Sequence, residues 1–410
     1  MLADCTGILG AFHDLELGAA ELPLLERGAR LAGGHPGDGI TGGRIAGKRV
    51  DLVIGCSEWS TYRILIAEAR RLIEKEHVDV LVGPGGDSDG LVVREIARRH
   101  PGVAFVASLS RAQETTLSRS VPNLFRFQPD GAQESAGLGS YAYHRLGWRT
   151  AAVVADDLST GWPRVAGFVA EFCALGGRVV SRIWTPAAVP LRGALAARVA
   201  DVDGVAVLPG DAFLDWSGFV KAYKRIHPNV ARHLVLGPEA LILPSSRTAA
   251  ARLAEGVVAG DSAPFESRNP VWLRLQRGFE QRFPGLPRLS SPAQFPLALA
   301  YYGAMKATLQ ALEAVRGDLS DHEGRFMAAL AHTVVASPTG PIRLDGNRQA
   351  IAPSYLFQVG RDERGKPRIR TLRTIVNVEQ TFNGYFTAST PPPTKIAPAC
   401  RRASPPAWAR

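Results

Sequence analysis

The chain has 410 residues, 46% apolar and 21% charged, with 42 glycines and 29 prolines. That length predicts two or three domains, and that apolar content excludes disorder throughout. The formal net charge is +10, nearly all of it arginine, since only seven of the 48 basic residues are lysine. No long basic run occurs and no aromatics interleave with one, so the charge reads as a solvated surface and no nucleic-acid partner is expected. A spanning helix is excluded because no run of ~18 uncharged apolar residues exists. The longest apolar stretch, Phe295–Met305, carries a proline and stops at Lys306. Cys5, Cys56, Cys173 and Cys400 show no C-x-x-C spacing, and the nine histidines show no H-E-x-x-H. No metal site and no cofactor are therefore expected.

Met1–Cys5 reads as the tail of a strand, with a turn at Thr6-Gly7. No secretion signal precedes it, so either this strand is short or the native start lies upstream. From residue 49 strands and helices alternate. Strands are expected over Arg49–Gly55, Val78–Gly83, Val103–Ala107 and Leu124–Phe127. Helices are expected over Ser60–His77 and Leu91–His100, the first from apolar residues on one helical face. A second series follows: helix Ala132–Leu146, strand Thr150–Ala155, helix Trp162–Leu175, strand Arg178–Ile183, helix 191–200, strand Gly204–Leu208, helix Phe213–Ile226 and strand His233–Leu236. Such alternation implies α/β architecture, with two doubly wound parallel sheets of about five strands each. The last third holds helices at Asn269–Phe283, Pro296–Val315 and Asp321–Ala331. Strands Gly340–Asp345 and Ser354–Gly360 flank a hairpin signal at Asp345-Gly346-Asn347. From Ala388 the chain is Pro-rich and reads as an extended tail.

In parallel sheets ligands sit beyond the carboxyl ends of strands. Pro84-Gly-Gly-Asp-Ser-Asp-Gly90 is such a loop. The dinucleotide fingerprint fails on it, because position 88 is Ser, and no Walker lysine is present. Gly86-Asp87-Ser88-Asp89-Gly90 does match the G-x-S-x-G of a serine hydrolase. Against that reading, Pro84-Gly85 separates it from the strand, and Asp89 stands where an oxyanion donor is needed. The same loop offers backbone N–H groups at a helix start, which suits a small anion. Ser108 and Ser110 follow the next strand. They and Ser88 read either as ligand hydroxyls or as caps and turn residues. In the second series the strand ends carry Asp156, Asp157, Asp211 and Glu239. These acids would hold an ammonium; Asp156 and Asp157 would equally serve as N-caps. Phe12, Trp59, Trp162, Phe213 and Trp216 either line a pocket or pack in the core.

The ordered set of Leu24–Leu31, Ile40–Lys48, Val80–Pro84, Pro122–Phe127, Leu236-Gly-Pro-Glu239 and Thr339–Asn347 resembles the type I periplasmic binding proteins. The similar branch serves ABC transporters for leucine, isoleucine and valine. The resemblance implies two lobes with a ligand cleft between them: residues 1–129 with 258–336, and 130–257 with 337–380, followed by the tail 381–410. It implies that a ligand carboxylate meets Gly86, Asp87, Ser88, Ser108 and Ser110, that its ammonium meets Glu239, and that Asp130 lies at the crossover. Asp87 departs from the small hydroxyl residue usual there, which leaves an amino acid or an amide-like molecule open as ligand. The implied partner is an ABC permease, and the implied location is the periplasm or cell envelope. Secretion, in turn, carries the pairings Cys5–Cys56 and Cys173–Cys400. A cytoplasmic sensor of the same fold and the Ser88 hydrolase are the other readings.

Overall fold

In this computed structural model the chain is described over residues 1–59, 61–86, 88–118, 121–186, 189–210 and 214–410. It divides into two compact units: Met1–Gln128 with Ser267–Ile351, and Pro129–Glu266 with Ala352–Arg410. Residues 258–266, expected with the first unit, belong to the second because Val258–Asp261 is a strand of its sheet. Much of 337–351, expected with the second unit, is anchored in the first. There Val335–Ser337 pairs with Gly340–Leu344, and the Asn269 amide donates to the Ser337 carbonyl at 2.9 Å.

The first unit carries two parallel ladders. Leu2–Asp4 pairs with Gly55–Ser57, and Val80–Val82, Ala104–Ala107 and Leu124–Arg126 pair in that order. The strand expected over Arg49–Gly55 is not continuous: its ladder with Leu2–Asp4 opens only at Gly55. Helices Tyr62–Arg70 and Asp89–Arg99 bury Leu65, Ala69, Val93 and Ile96 against Leu81 and Phe105. These are one-face positions of each helix, as the periodicity predicts. Helix His13–Leu25 packs against helix Pro296–Ala314 and is buried on nearly every side. The segment Leu24–Leu31, part of the family resemblance, is the end of that helix and a turn into Arg30–Leu31.

The second unit is built on one sheet. Its parallel order is Arg178–Thr185, Thr150–Asp156, Gly204–Val207, Leu234–Leu236, Val258–Asp261. Ala350–Arg361 then adds antiparallel and pairs with Pro367–Val378. Along the central strands, Ala152, Val154, Val205 and Val207 enter one core while Ala151, Val153, Ala155 and Ala206 enter another. Both faces are thus covered, which is why these strands read as continuous apolar runs. The turn Asp345–Asn347 joins Gly340–Leu344 to Ala350–Arg361 as an antiparallel pair, with Asp345 Oδ1 accepting from the Asn347 and Gln349 N–H groups.

Three expectations change. The helix over Ala132–Leu146 is broken at Gly137, which has φ +92°. Buried Glu171 accepts the Gly137 N–H at 2.9 Å and the Gly139 N–H at 3.0 Å, capping the fragment that follows. Residues 191–200 form only tight 3-10 turns, Gly193–Val199. Helix Ser217–Ile226 begins after the expected Phe213, which lies outside the described residues. Helix Pro244–Leu253 and strands Val258–Asp261 and Pro367–Val378 were not evident from the pattern.

Candidate functional site

In the first unit the strands Val80–Val82 and Ala104–Ala107 end side by side, and their loops meet. Gly83 has φ +106°, and a Cβ there would collide with the Leu2 carbonyl oxygen, so only glycine fits. The Gly83–Pro84 bond is cis. The Ser108 hydroxyl donates to the Pro84 carbonyl, which ties one loop to the next strand end. Ser110 shares a hydrogen bond with Thr115 at 3.0 Å and fills the space left by Gly90. Its carbonyl accepts from buried Arg126 at 2.7 Å. Ser88 is 9% exposed and its hydroxyl accepts from Tyr62 Oη at 3.1 Å. Gly86 lies beside Trp59. Asp87 lies outside the described residues. Ser88, Ser108 and Ser110 are therefore brought to one edge, each with a protein partner. Ser88 has φ −80° and ψ −16°, ordinary helical backbone rather than the strained turn of a nucleophile elbow.

Behind this edge sits an acid pair that the motifs did not announce. The Asp4 N–H donates to Glu16 Oε2 at 2.8 Å, and Ser57 donates to Asp4 Oδ1 at 3.2 Å. Both carboxyl groups are fully buried. Asp4 Oδ2 and Glu16 Oε1 face the space left by Gly85 and have no hydrogen-bond partner among the described residues. Burial, then the nearby Asp4 carboxyl, pushes Glu16 up to about 9. Burial raises Asp4 to about 6.

In the second unit the corresponding edge is charged. Arg164 enters from helix Gly161–Ala174 and is fully buried. Its Nε binds Glu134 at 2.9 Å, its Nη1 donates to the Pro209 carbonyl at 2.7 Å, and its Nη2 lies 3.3 Å from Glu239. Glu239 has φ +64°, and its N–H donates to Asp261 Oδ2 at 3.0 Å. The Gly237-Pro238 turn thus places Glu239 in left-handed backbone with its carboxylate in the network. Burial, then the charge of Glu134, pushes Asp261 up to about 7.

The other predicted acids have structural partners. Asp130 caps the turn Gly131–Glu134: Oδ1 accepts from the Gln133 N–H at 2.9 Å, and Oδ2 from the Gln380 amide at 2.8 Å. Asp156 accepts from the Gly210 N–H. Asp157 accepts from Trp162 Nε1 at 3.1 Å and pairs with Lys395 at 2.5 Å. Asp211 lies outside the described residues. Of the aromatics, Trp216 is core, donating to the Ala240 carbonyl at 3.0 Å. Arg164, Glu134 and Asp261 were missed. For Arg164 the available signal was that it and Glu171 are the two charges inside an otherwise apolar helix (GWPRVAGFVAEFCA), and a buried charge has to be paired.

A family model described as periplasmic binding protein matches residues 27–366. A search of curated proteins finds no match. Among solved structures, an ABC transporter substrate-binding protein from Sphaerobacter thermophilus is 22% identical, with TM-score 0.76, covering 92% of this chain and 97% of that one. A Rhodopseudomonas palustris solute binding protein in complex with benzoate is 21% identical, with TM-score 0.68, covering 92% and 96%. A leucine binding protein from Thermotoga maritima is 19% identical, with TM-score 0.68, covering 92% and 97%.

Proposed function

Because this chain belongs to the periplasmic binding protein family and has its type I fold, we propose that it is the extracytoplasmic solute-binding component of an ABC transporter. It captures a small polar ligand, an amino acid or amide-like molecule, and presents it to the permease. The family binds solutes rather than transforming them, and the chain is not an enzyme. Two disulfides, Cys5–Cys56 and Cys173–Cys400, favour an oxidising compartment. No described helix is long and apolar enough to cross a membrane.

The observation that carries the ligand class is the carboxyl cluster of the second unit's edge. Among the described residues, Glu134 and Glu239 surround one guanidinium, with Asp261 beside them. These put three carboxyl groups beside one another on this edge. An ammonium or amide N–H of the ligand suits such an edge better than an anion without a donor. Gly86 and Ser88 supply donors at the first unit's edge. Ser108 and Ser110 hold the loop that presents them.

A thermal-shift screen of amino acids, amides and benzoates tests this. A ligand at ~100 times its dissociation constant adds ~2.7 kcal/mol of stability. Leucine-like or amide ligands should raise the melting temperature of the wild type and lose that effect in Glu239→Gln. Shifts with benzoates alone, unchanged in Glu239→Gln, would overturn the amine reading.

A further inference from the structure

The tail from Thr387 to Arg410 is tied down along its length. It runs beside Arg178–Thr185, the edge strand of the second unit's sheet. Trp184 Nε1 donates to the Lys395 carbonyl at 3.1 Å, Arg182 donates to the Pro398 carbonyl, and the Cys400 sulfur lies 3.4 Å from the Gly177 carbonyl. The tail therefore descends antiparallel to that strand, and these three contacts include no backbone ladder bond. Its prolines lack the N–H that a ladder needs, so it covers the edge without extending the sheet.

Both ends of this stretch are fixed. Cys400 is disulfide-bonded to Cys173, which is buried near the end of helix Gly161–Ala174. Beyond it, Trp408 packs edge-on against Phe382 at 5.3 Å between centroids, and its carbonyl accepts from Arg373 at 2.9 Å. His144 Nε2 lies 3.0 Å from the Ala409 carbonyl oxygen. Five residues before the disulfide, Lys395 reaches Asp157. Asp157 follows the strand Thr150–Asp156 at the same carboxyl-end edge as Glu239, and its second oxygen holds Trp162 at the start of the helix that also carries Arg164 and Cys173.

We propose that residues 387–410 form a disulfide-latched strap that delivers Lys395 to Asp157, making Lys395 a specificity-determining residue of the second unit's ligand edge. The Lys395–Asp157 pair is neutral in sum, so with the strap in place Asp157 attracts no cation to this edge. Without Lys395, Asp157 becomes a centre of attraction for cations there. This inference rests on the ligand-facing reading of that edge proposed above.

The test uses the full oxidised chain, Lys395→Met, and the double variant Cys173→Ala/Cys400→Ala. The probes are leucine, 4-methylpentanoate and isopentylamine, which share a branched skeleton and differ in charge. Calorimetry at low salt should show the ratio of amine to acid affinity rising about tenfold in Lys395→Met, from about threefold on each probe. The double variant should move the same way. A ratio equal to that of the wild type in both variants overturns the role of Lys395. Trypsin reads the latch itself: Lys395, Arg401 and Arg402 should resist cleavage in the oxidised protein and be cut in the double variant. Equal cleavage of the two overturns the strap. Binding of no probe to any variant rejects the ligand reading and the role of Lys395 together, and leaves the latch decided by trypsin alone.

Discussion

The two units end their parallel strands in chemically opposite ways. The first unit's edge is made of hydroxyls and glycine backbone, tied by Ser108 to Pro84, Ser110 to Thr115 and Tyr62 to Ser88, with buried Arg126 donating to the Ser110 carbonyl. Its acids, Asp4 and Glu16, are withdrawn behind the loop, and burial pushes Asp4 up to about 6 and Glu16 up to about 9. The second unit's edge is made of charges, and a single guanidinium, Arg164, organises it. One edge presents hydroxyls and glycine backbone, and the other presents carboxyl groups gathered around a guanidinium.

Removing Arg164 should give the largest effect. Arg164→Met removes from buried Glu134 and Glu239 the guanidinium that binds both, and losing one partner of a buried pair costs about 3–5 kcal/mol. Urea denaturation should show a loss of that size. A loss under about 1 kcal/mol would mean that the second edge is not held by charge, and the contrast between the units would fail.

The pH response sharpens the same contrast. A carboxyl whose folded pKa is raised keeps its proton in the folded state longer than in the unfolded one. Stability therefore falls as pH rises from the unfolded value to the folded one, and is flat above it. For Asp261 that window closes at about 7, whereas for Glu16 it runs to about 9. Between pH 7 and 9 the loss should be greatly reduced in Glu16→Gln and unchanged in Asp261→Asn. One proton over two pH units is worth about 2–3 kcal/mol. Denaturation curves at pH 7 and pH 9 measure it, and an equal loss in wild type and Glu16→Gln would clear Glu16 of the role.

The smallest effect is expected at the first edge. Ser108→Ala removes one neutral hydrogen bond and leaves the Pro84 carbonyl unmet, for about 1 kcal/mol. Denaturation at pH 7 should show that, well below the cost of Arg164→Met. A cost equal to that of Arg164→Met would place the two edges on the same footing.

Much of the fold was legible because its signals are local. The apolar runs at Val80–Val82, Thr150–Asp156 and Gly204–Val207 announce strands covered on both faces. Asp345-Gly346-Asn347 announces its turn by side-chain chemistry. Arg49–Gly55 misled because apolar content marks a strand only where a partner strand lies alongside. Ala132–Leu146 misled because its break depends on Glu171, more than thirty residues away in sequence. The site divides likewise. Ser88, Ser108, Ser110 and Glu239 were found from their places after strands. Whether each hydroxyl or carboxylate already had a partner was not written beside it.

The sequence by itself determined the alternation of strands and helices, the loops that follow the parallel strands and the family. These follow from spacing along the chain and from residues that fix their own backbone. Only the tertiary structure decided that Arg164 binds Glu239, that Asp130 is a cap bound by Gln380, and that Lys395 holds Asp157. Polar pairing across 75, 250 and 238 positions is set by distance in space, and composition carries no record of it.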